Sequence, residues 1–297
     1  MKKNSYIFLL LICLISMLSC KDFSQIVEIE FPEHESKLVT TAVMGDVDAY
    51  LRILVSNSIG IQEDRSSFAI SDARVQIFKD GQLFLTVPYD TTSAHYTALL
   101  EDSIRSYGTL FRLEVNAADY PPLSAEQIMP RPVPVSYAEI ELEGTVDMEG
   151  HRVDEVIVEF QDPSGEENYY GLALEGEQLF VIDGDTLMGN VQQYLNTNDP
   201  TLTQVYNAPY SLVFSDASFN GRKIRISTYT SGNSLRTFQG RVILYHLTRD
   251  LYLYNRSVVL YENAVDNPFV EPVTVHNNID NGYGLFGLYA ISAYKLN

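Results

Sequence analysis

Ala73-Arg74-Val75-Gln76-Ile77-Phe78-Lys79-Asp80-Gly81-Gln82-Leu83-Phe84-Leu85 is the stretch that decides the fold class. Ala73, Val75 and Ile77 lie two apart, the period of a strand with one buried face, and Asp80-Gly81 is a pair whose positive φ values suit a two-residue hairpin. The same period runs from Leu38 to Val43. It recurs in Ala49, Leu51, Ile53 and Val55, with Tyr50, Arg52 and Leu54 on the opposite face. Downstream it returns around Tyr96 and from Leu110 to Val115, ahead of Tyr120-Pro121-Pro122. Short strands at this spacing, with no helical period among them, predict an immunoglobulin-like β-sandwich over 37–131.

Pro130, Pro132 and Pro134 follow within five residues. Proline removes backbone donors and favours extended chain, so a domain boundary is expected here, with a C-terminal β domain over 132–297. Strands are predicted at Tyr137 to Leu142, Val156 to Phe160, Tyr169 to Leu174, Leu179 to Ile182, Ser211 to Phe214, Lys223 to Tyr229, Arg241 to Leu247 and Leu285 to Tyr294. Asp162-Pro163-Ser164-Gly165 is a type I turn signal, and Asn220-Gly221 a second hairpin signal. One stretch departs from this pattern. Leu251, Tyr254, Val258 and Tyr261 recur at three or four residues behind Thr248, a capping residue, and Asp250, which suits a helix N-terminus. That spacing predicts one amphipathic helix over 249–262 whose stripe faces the core. The expected fold is therefore all-β, the second domain being a larger antiparallel sandwich or barrel-like body with one short helix. Twenty Tyr, fourteen Phe and no Trp agree with a strand-rich chain.

The N-terminus sets the expected location. Lys2 and Lys3 precede thirteen apolar residues from Tyr6 to Leu18, a length suited to a signal-peptide core and too short to span roughly 30 Å of hydrocarbon. The run ends in Met17-Leu18-Ser19-Cys20, which resembles the bacterial lipobox, so 1–19 reads as a lipoprotein signal peptide and Cys20 as the acylated first residue of the mature chain. The other cysteine, Cys13, lies in the leader, and acylation removes an otherwise exposed thiol. Two or more acyl chains hold a domain on a membrane firmly. Residues 20–36, including alternating Val27, Ile29 and Phe31 before Pro32, read as a lipidated tether with a first strand.

Cleavage removes Lys2 and Lys3, which leaves 18 basic residues against 39 acidic and a formal charge of −21. A field of that sign repels polyanions, so nucleic acid is excluded as a partner. Gly282-Tyr283-Gly284-Leu285-Phe286-Gly287 matches G-x-G-x-x-G, but the sequence then runs only to Asn297, without room for the acidic residue a dinucleotide fold needs. Those glycines are expected to serve a turn and a close backbone approach. His34, His95, His151, His246 and His276 are scattered singly, so no metal site is expected from them. Asp162 with Glu166 and Glu167, and Asp183 with Asp185, read as solvated turns rather than calcium ligands. With no nucleophile elbow and no marked triad, no catalytic residue and no cofactor are assigned, and the chain is read as non-enzymatic.

Phrases along the chain point to a family. They are Phe31-Pro32-Glu33-His34-Glu35-Ser36-Lys37-Leu38-Val39, Ile70-Ser71-Asp72-Ala73-Arg74-Val75, Asp162-Pro163 with Asn168-Tyr169-Tyr170, Phe214-Ser215-Asp216, Phe219-Asn220-Gly221, Asn267-Pro268-Phe269 with Glu271-Pro272, and Asn278 through Gly287. In this order they resemble a Bacteroidota outer-membrane lipoprotein family, domain of unknown function 4249. The family has no assigned activity. The resemblance implies lipid anchoring in the outer membrane through Cys20 and a TonB-dependent outer-membrane receptor as partner. Lys21-Asp22-Phe23 looks like a shortened surface-export signal of that phylum, which implies a position facing the cell exterior. Asp90-Thr91-Thr92, Asp102-Ser103-Ile104 and Asp185-Thr186-Leu187 are similar to its O-glycosylation pattern. The expected function is a non-catalytic accessory that captures ligand for, or docks on, such a transporter. The alternative is a structural or adhesive surface module.

Overall fold

A computed structural model describes residues 34–60, 69–100, 104–182, 185–231, 234–265 and 269–296. The leader, Cys20, the candidate strand at Val27 to Phe31, and Asp102, Ser103 and Asp183 lie outside the described residues. The predicted hairpin is present. β1 (Leu38–Gly45) and β2 (Tyr50–Asn57) are followed by β3 (Arg74–Lys79) and β4 (Gln82–Val87), which pair antiparallel with Lys79 opposite Gln82. Between them Asp80 and Gly81 take φ values of 48° and 78°, the left-handed pair that matches the twist of the flanking strands.

The remaining strands are β5 (Tyr89–Asp90), β6 (His95–Leu99), β7 (Leu110–Asn116), β8 (Leu123–Ile128), β9 (Val135–Val146), β10 (Arg152–Gln161), β11 (Tyr169–Ile182), β12 (Asp185–Gln193), β13 (Leu195–Asn196), β14 (Thr203–Gln204), β15 (Leu212–Ser215), β16 (Lys223–Thr230), β17 (Gln239–Leu247) and β18 (Tyr283–Lys295). The helix α1 spans Arg249–Val265, three residues longer than the spacing predicts. They form three sheets. A ten-stranded sheet runs β14-β15-β11-β17-β18-β1-β2-β6-β5, with β12 beside β11; two four-stranded sheets run β4-β3-β7-β8 and β13-β16-β10-β9.

Side-chain alternation assigns the layers. Leu38, Ala42 and Met44 of β1 and Leu51, Ile53 and Val55 of β2 pack with Val75, Ile77, Phe111 and Leu113 of the β4-β3-β7-β8 sheet. Tyr170, Leu172 and Leu174 of β11 and Val242 and Leu244 of β17 pack with Val156, Val158 and Phe160 of β10. The odd-numbered neighbours Tyr169, Ala173, Ile243, Tyr245 and Leu247 face the other way and meet Leu251 and Tyr252 of α1. Among the described residues the fold is thus an all-β sandwich, two small sheets on one face of a large one and one α-helix on the other. Because both faces are covered there, Tyr169 to Leu174 of β11 and Val242 to Tyr245 of β17 read as unbroken apolar runs.

β18 belongs to every core. Phe286 and Leu288 enter the first, Tyr294 and, just past the end of the strand, Leu296 the second, and Leu285 and Tyr289 lie under the helix. It pairs parallel with β1, Thr40 opposite Gly284, and antiparallel with β17. Residues Ser36–Asn297 accordingly form one compact unit, and segments 37–131 and 132–297 share the ten-stranded sheet. The close approach demands glycine. A Cβ on Gly284 would stand 1.8 Å from the Thr40 carbonyl oxygen at φ 122°, which answers the G-x-G-x-x-G motif as backbone packing.

Two local expectations are corrected, and two strands were missed. Asn220-Gly221 does not close a hairpin, because β15 lies in the ten-stranded sheet and β16 in the β13-β16-β10-β9 sheet. Gly221 is left-handed at φ 72° while Asn220 is not among the positive-φ residues, so the pair carries the chain between layers instead. Leu179 to Ile182 is the far end of β11, continuous with Tyr169 to Leu174, since pairing with β12 carries the strand past the edge of its own sheet. β8 and β12 were not predicted, being rich in Ser, Gln, Asn and Gly, whose alternation with apolar residues is faint.

Candidate ligand pocket

Gly171 on β11 leaves space where any side chain would meet the Tyr210 ring at 2.8 Å. Tyr210 therefore lies flat against the sheet, edge-on to Tyr245 with ring centres 5.0 Å apart. The loop before it is closed by two backbone bonds, Val205 N–H to the Ser211 carbonyl at 2.9 Å and Ser211 N–H to the Leu172 carbonyl at 2.9 Å. Asn255 of α1 donates from Nδ2 to the Tyr210 hydroxyl at 2.8 Å and to the Leu251 carbonyl at 2.7 Å. Loop and helix are thus pinned together at one end.

Past that pin they separate. A cavity of about 410 Å³ opens between them, floored by Val43 and Leu285, walled by Tyr254 and Val258 and closed by Ala208 and Pro209. The amphipathic stripe read from sequence is consequently divided. Leu251 is buried, Tyr254 and Val258 are half-buried along the cavity, and Tyr261 is exposed. Burial holds the Tyr210 phenol far above its ordinary value, the bond from Asn255 opposing. Burial raises Tyr254 as well, against a bond with Thr41. Both hydroxyls stay protonated at neutral pH, and among the described residues Glu262 is the one formally charged residue in the lining. An enclosure of this size, apolar with a few fixed hydroxyls and amides, suits a small uncharged or cationic organic ligand.

Two larger hollows differ in chemistry. One of about 1130 Å³ lies along β11, β12 and β17 and carries Glu175, Glu177, Arg241 and Lys295. Another of about 780 Å³ lies between the proline segment and the start of α1, with Arg131, Glu166, Glu167 and Asp250 in its wall. Burial would raise Asp250, but bonds from Gln127 at 2.6 Å and His276 at 2.7 Å, with the His276 charge, hold its carboxyl below the ordinary value. Both spaces are charged and open.

Beside the second hollow the separate phrases of the chain meet. Asp162 is buried and accepts from the Tyr170 hydroxyl at 2.5 Å and from Gly221 N–H at 2.7 Å. Asn168 donates to Asp216 at 3.2 Å and to the Pro163 carbonyl at 3.1 Å, and Asn220 donates to the Glu166 carbonyl. Tyr170 stacks on His246, whose Nδ1 lies 2.6 Å from the Arg131 carbonyl. Asp162, Asn168, Tyr170, Asp216 and Gly221 therefore form one polar knot that ties two sheets together. Asp162 is spent in it, buried and not a solvated turn. Asp216 is pushed above its ordinary value by burial. Among the described residues no group of three or more His, Cys, Asp or Glu stands as a metal site.

The structure does not join the scattered histidines: His95 lies near the Ser93 carbonyl, His151 near Asp147 and Glu149, His246 in the knot and His276 beside Asp250. Sequence reading missed the cavity wall from Val205 to Tyr210. Its available signal was Asn207-Ala208-Pro209, a turn followed by an inward tyrosine. No curated protein matches the chain. A family model described as Domain of unknown function (DUF4249) matches residues 25–295, so the chain belongs to that family.

Proposed function

We propose that this protein is a lipid-anchored, non-catalytic capture protein of the outer membrane, facing the cell exterior and serving a TonB-dependent transporter. The observation that carries it is the apolar cavity under α1, whose walls come from a helix and a loop rather than from the sheet scaffold. A site whose walls are a helix and a loop over a floor of two strands can admit a ligand by movement of the walls while the sheet stays in place. The lipobox at Cys20 and the acidic body support placement at a membrane surface.

Ligand capture is testable because the chain contains no tryptophan. Tyr206→Trp at the exposed rim provides a single tryptophan, to be excited selectively and titrated with Nile red and then with neutral and cationic organic compounds. A saturable blue shift that Val258→Phe abolishes is the expected result. The transporter is tested separately, by pull-down from solubilised outer membranes with wild type beside Cys20→Ala and mass spectrometry of what is recovered. A stoichiometric TonB-dependent barrel with wild type is expected; recovery of the lipoprotein by itself would put a structural or adhesive surface role in its place.

A further inference from the structure

β11 outruns its sheet. β17 pairs with it only as far as Glu177, while β12 continues opposite it to Ile182. The end of the hairpin is thus a two-stranded ribbon projecting past β15 and β17, the other neighbours of β11 in the ten-stranded sheet. Leu179 faces Met188 across it and Phe180 faces Leu187, so apolar pairs stand on both faces. Their exposures are 41, 49, 39 and 54%. A two-stranded ribbon is marginal in water, and four large apolar side chains at its end increase the cost of leaving it uncovered.

Toward the tip its outer edge is also open, while at the base Gln192 donates from Nε2 to the Pro209 carbonyl at 3.0 Å. Among the described residues β12 pairs with β11 and with no other strand, in nine consecutive pairs without a bulge. From Thr186 to Gln193 it carries no charge and no proline, the devices that usually keep an edge from pairing with another chain. By contrast β5, β13 and β14 are two residues each, and β9 carries Glu139, Glu141 and Glu143. The charge around the edge has one sign. From Glu175 to Gln193 there are four carboxylates, Glu175, Glu177, Asp183 and Asp185, and no Lys, Arg or His.

We infer that this ribbon is a docking strand, and that its occupant is an extended, alternately apolar segment of a different protein flanked by basic residues, added to the free edge of β12. Main-chain bonds along the edge give affinity, the side chains at 179, 180, 187 and 188 give apolar cover, and the carboxylates at both ends select cations. A second copy of this acidic chain would place the same carboxylates near one another, so it is the disfavoured occupant. The inference does not depend on the partner being a transporter or on the cavity under α1.

The probe is a fluorescein-labelled peptide, Lys-Lys-Val-Thr-Val-Thr-Val-Lys-Lys, beside a twin with Glu in place of Lys, titrated by anisotropy against the full chain in detergent. The lysine peptide is expected to bind at least about tenfold more tightly than the glutamate twin, with slowed amide exchange in β12. The variant Thr186→Lys/Met188→Lys, on an exposed strand, is expected to narrow that preference at least about threefold while binding of the glutamate twin is kept or strengthened, which a merely damaged fold would not do. Equal binding of the two peptides to wild type, an undiminished preference in the variant, or no binding at roughly 1 mM would overturn the inference. A dimer in sedimentation that the double lysine variant dissociates would overturn it too, by making a second copy the occupant.

Discussion

Tyr170 and His246 carry the sharpest expectations for single side chains. Tyr170→Phe keeps the ring stack but leaves one Asp162 oxygen without its donor, and a buried polar group so orphaned costs about 1–3 kcal/mol. The urea midpoint should fall with an unchanged slope. His246 is held below its ordinary pKa of 6.5, first by burial, with the bond to the Arg131 carbonyl and the charges of Glu166, Asp162 and Asp216 opposing. Its neutral form is favoured in the fold, so the unfolded chain takes up that proton first. The contribution is complete above about pH 6.5 and is lost as pH falls below it toward the folded value. His246→Asn retains an amide donor for the carbonyl and removes the titration. Unfolding of wild type and variant in parallel between about pH 8 and pH 5 should show the gap narrowing toward acid. Asp216, raised by burial, acts with the opposite sign in both proteins, so the comparison reads the difference left by His246 together with its coupling to Asp216.

At the scale of elements, β18 and the ribbon separate packing from exposure. A methyl on Gly284 would overlap the Thr40 carbonyl, so Gly284→Ala should abolish the parallel pair and leave the protein in inclusion bodies; a soluble variant with native circular dichroism would contradict the register. Leu251→Ala, under the first turn of α1, should cost about 2–5 kcal/mol by cavity formation. Phe180→Ser with Leu187→Ser should shift stability by about 0.5 kcal/mol or less, because those side chains belong to none of the three cores. A large loss there would make the ribbon a structural element.

For the whole molecule, one sheet passing through both segments predicts one unfolding event. Tyrosine fluorescence and far-ultraviolet circular dichroism should follow a single coincident urea transition, because the β1–β18 pair cannot open without exposing Leu38, Met44, Phe286 and Leu288 together. Two separated transitions would mean that the interface along β18 is weaker than its burial implies.

Local order accounts for what was legible. Period-two apolar alternation identified most strands because each buries a face, Asp80-Gly81 identified its hairpin because a type I′ turn needs two left-handed residues, and the 249–262 stripe identified the helix. Family membership was legible from phrases in order, though not what those phrases do. Tertiary structure decided the rest, because the deciding neighbours lie far apart in the chain. Asp162, Asn168, Tyr170, Asp216 and Gly221 become one knot only when two sheets stack, and Asn220-Gly221 looks like a hairpin until its flanking strands join different layers. The cavity under α1 needs a loop, a helix and two strands at once. The last strand lies beside the first, a pairing across some 240 residues that no local spacing encodes, since it rests on the fit of two backbones at a glycine.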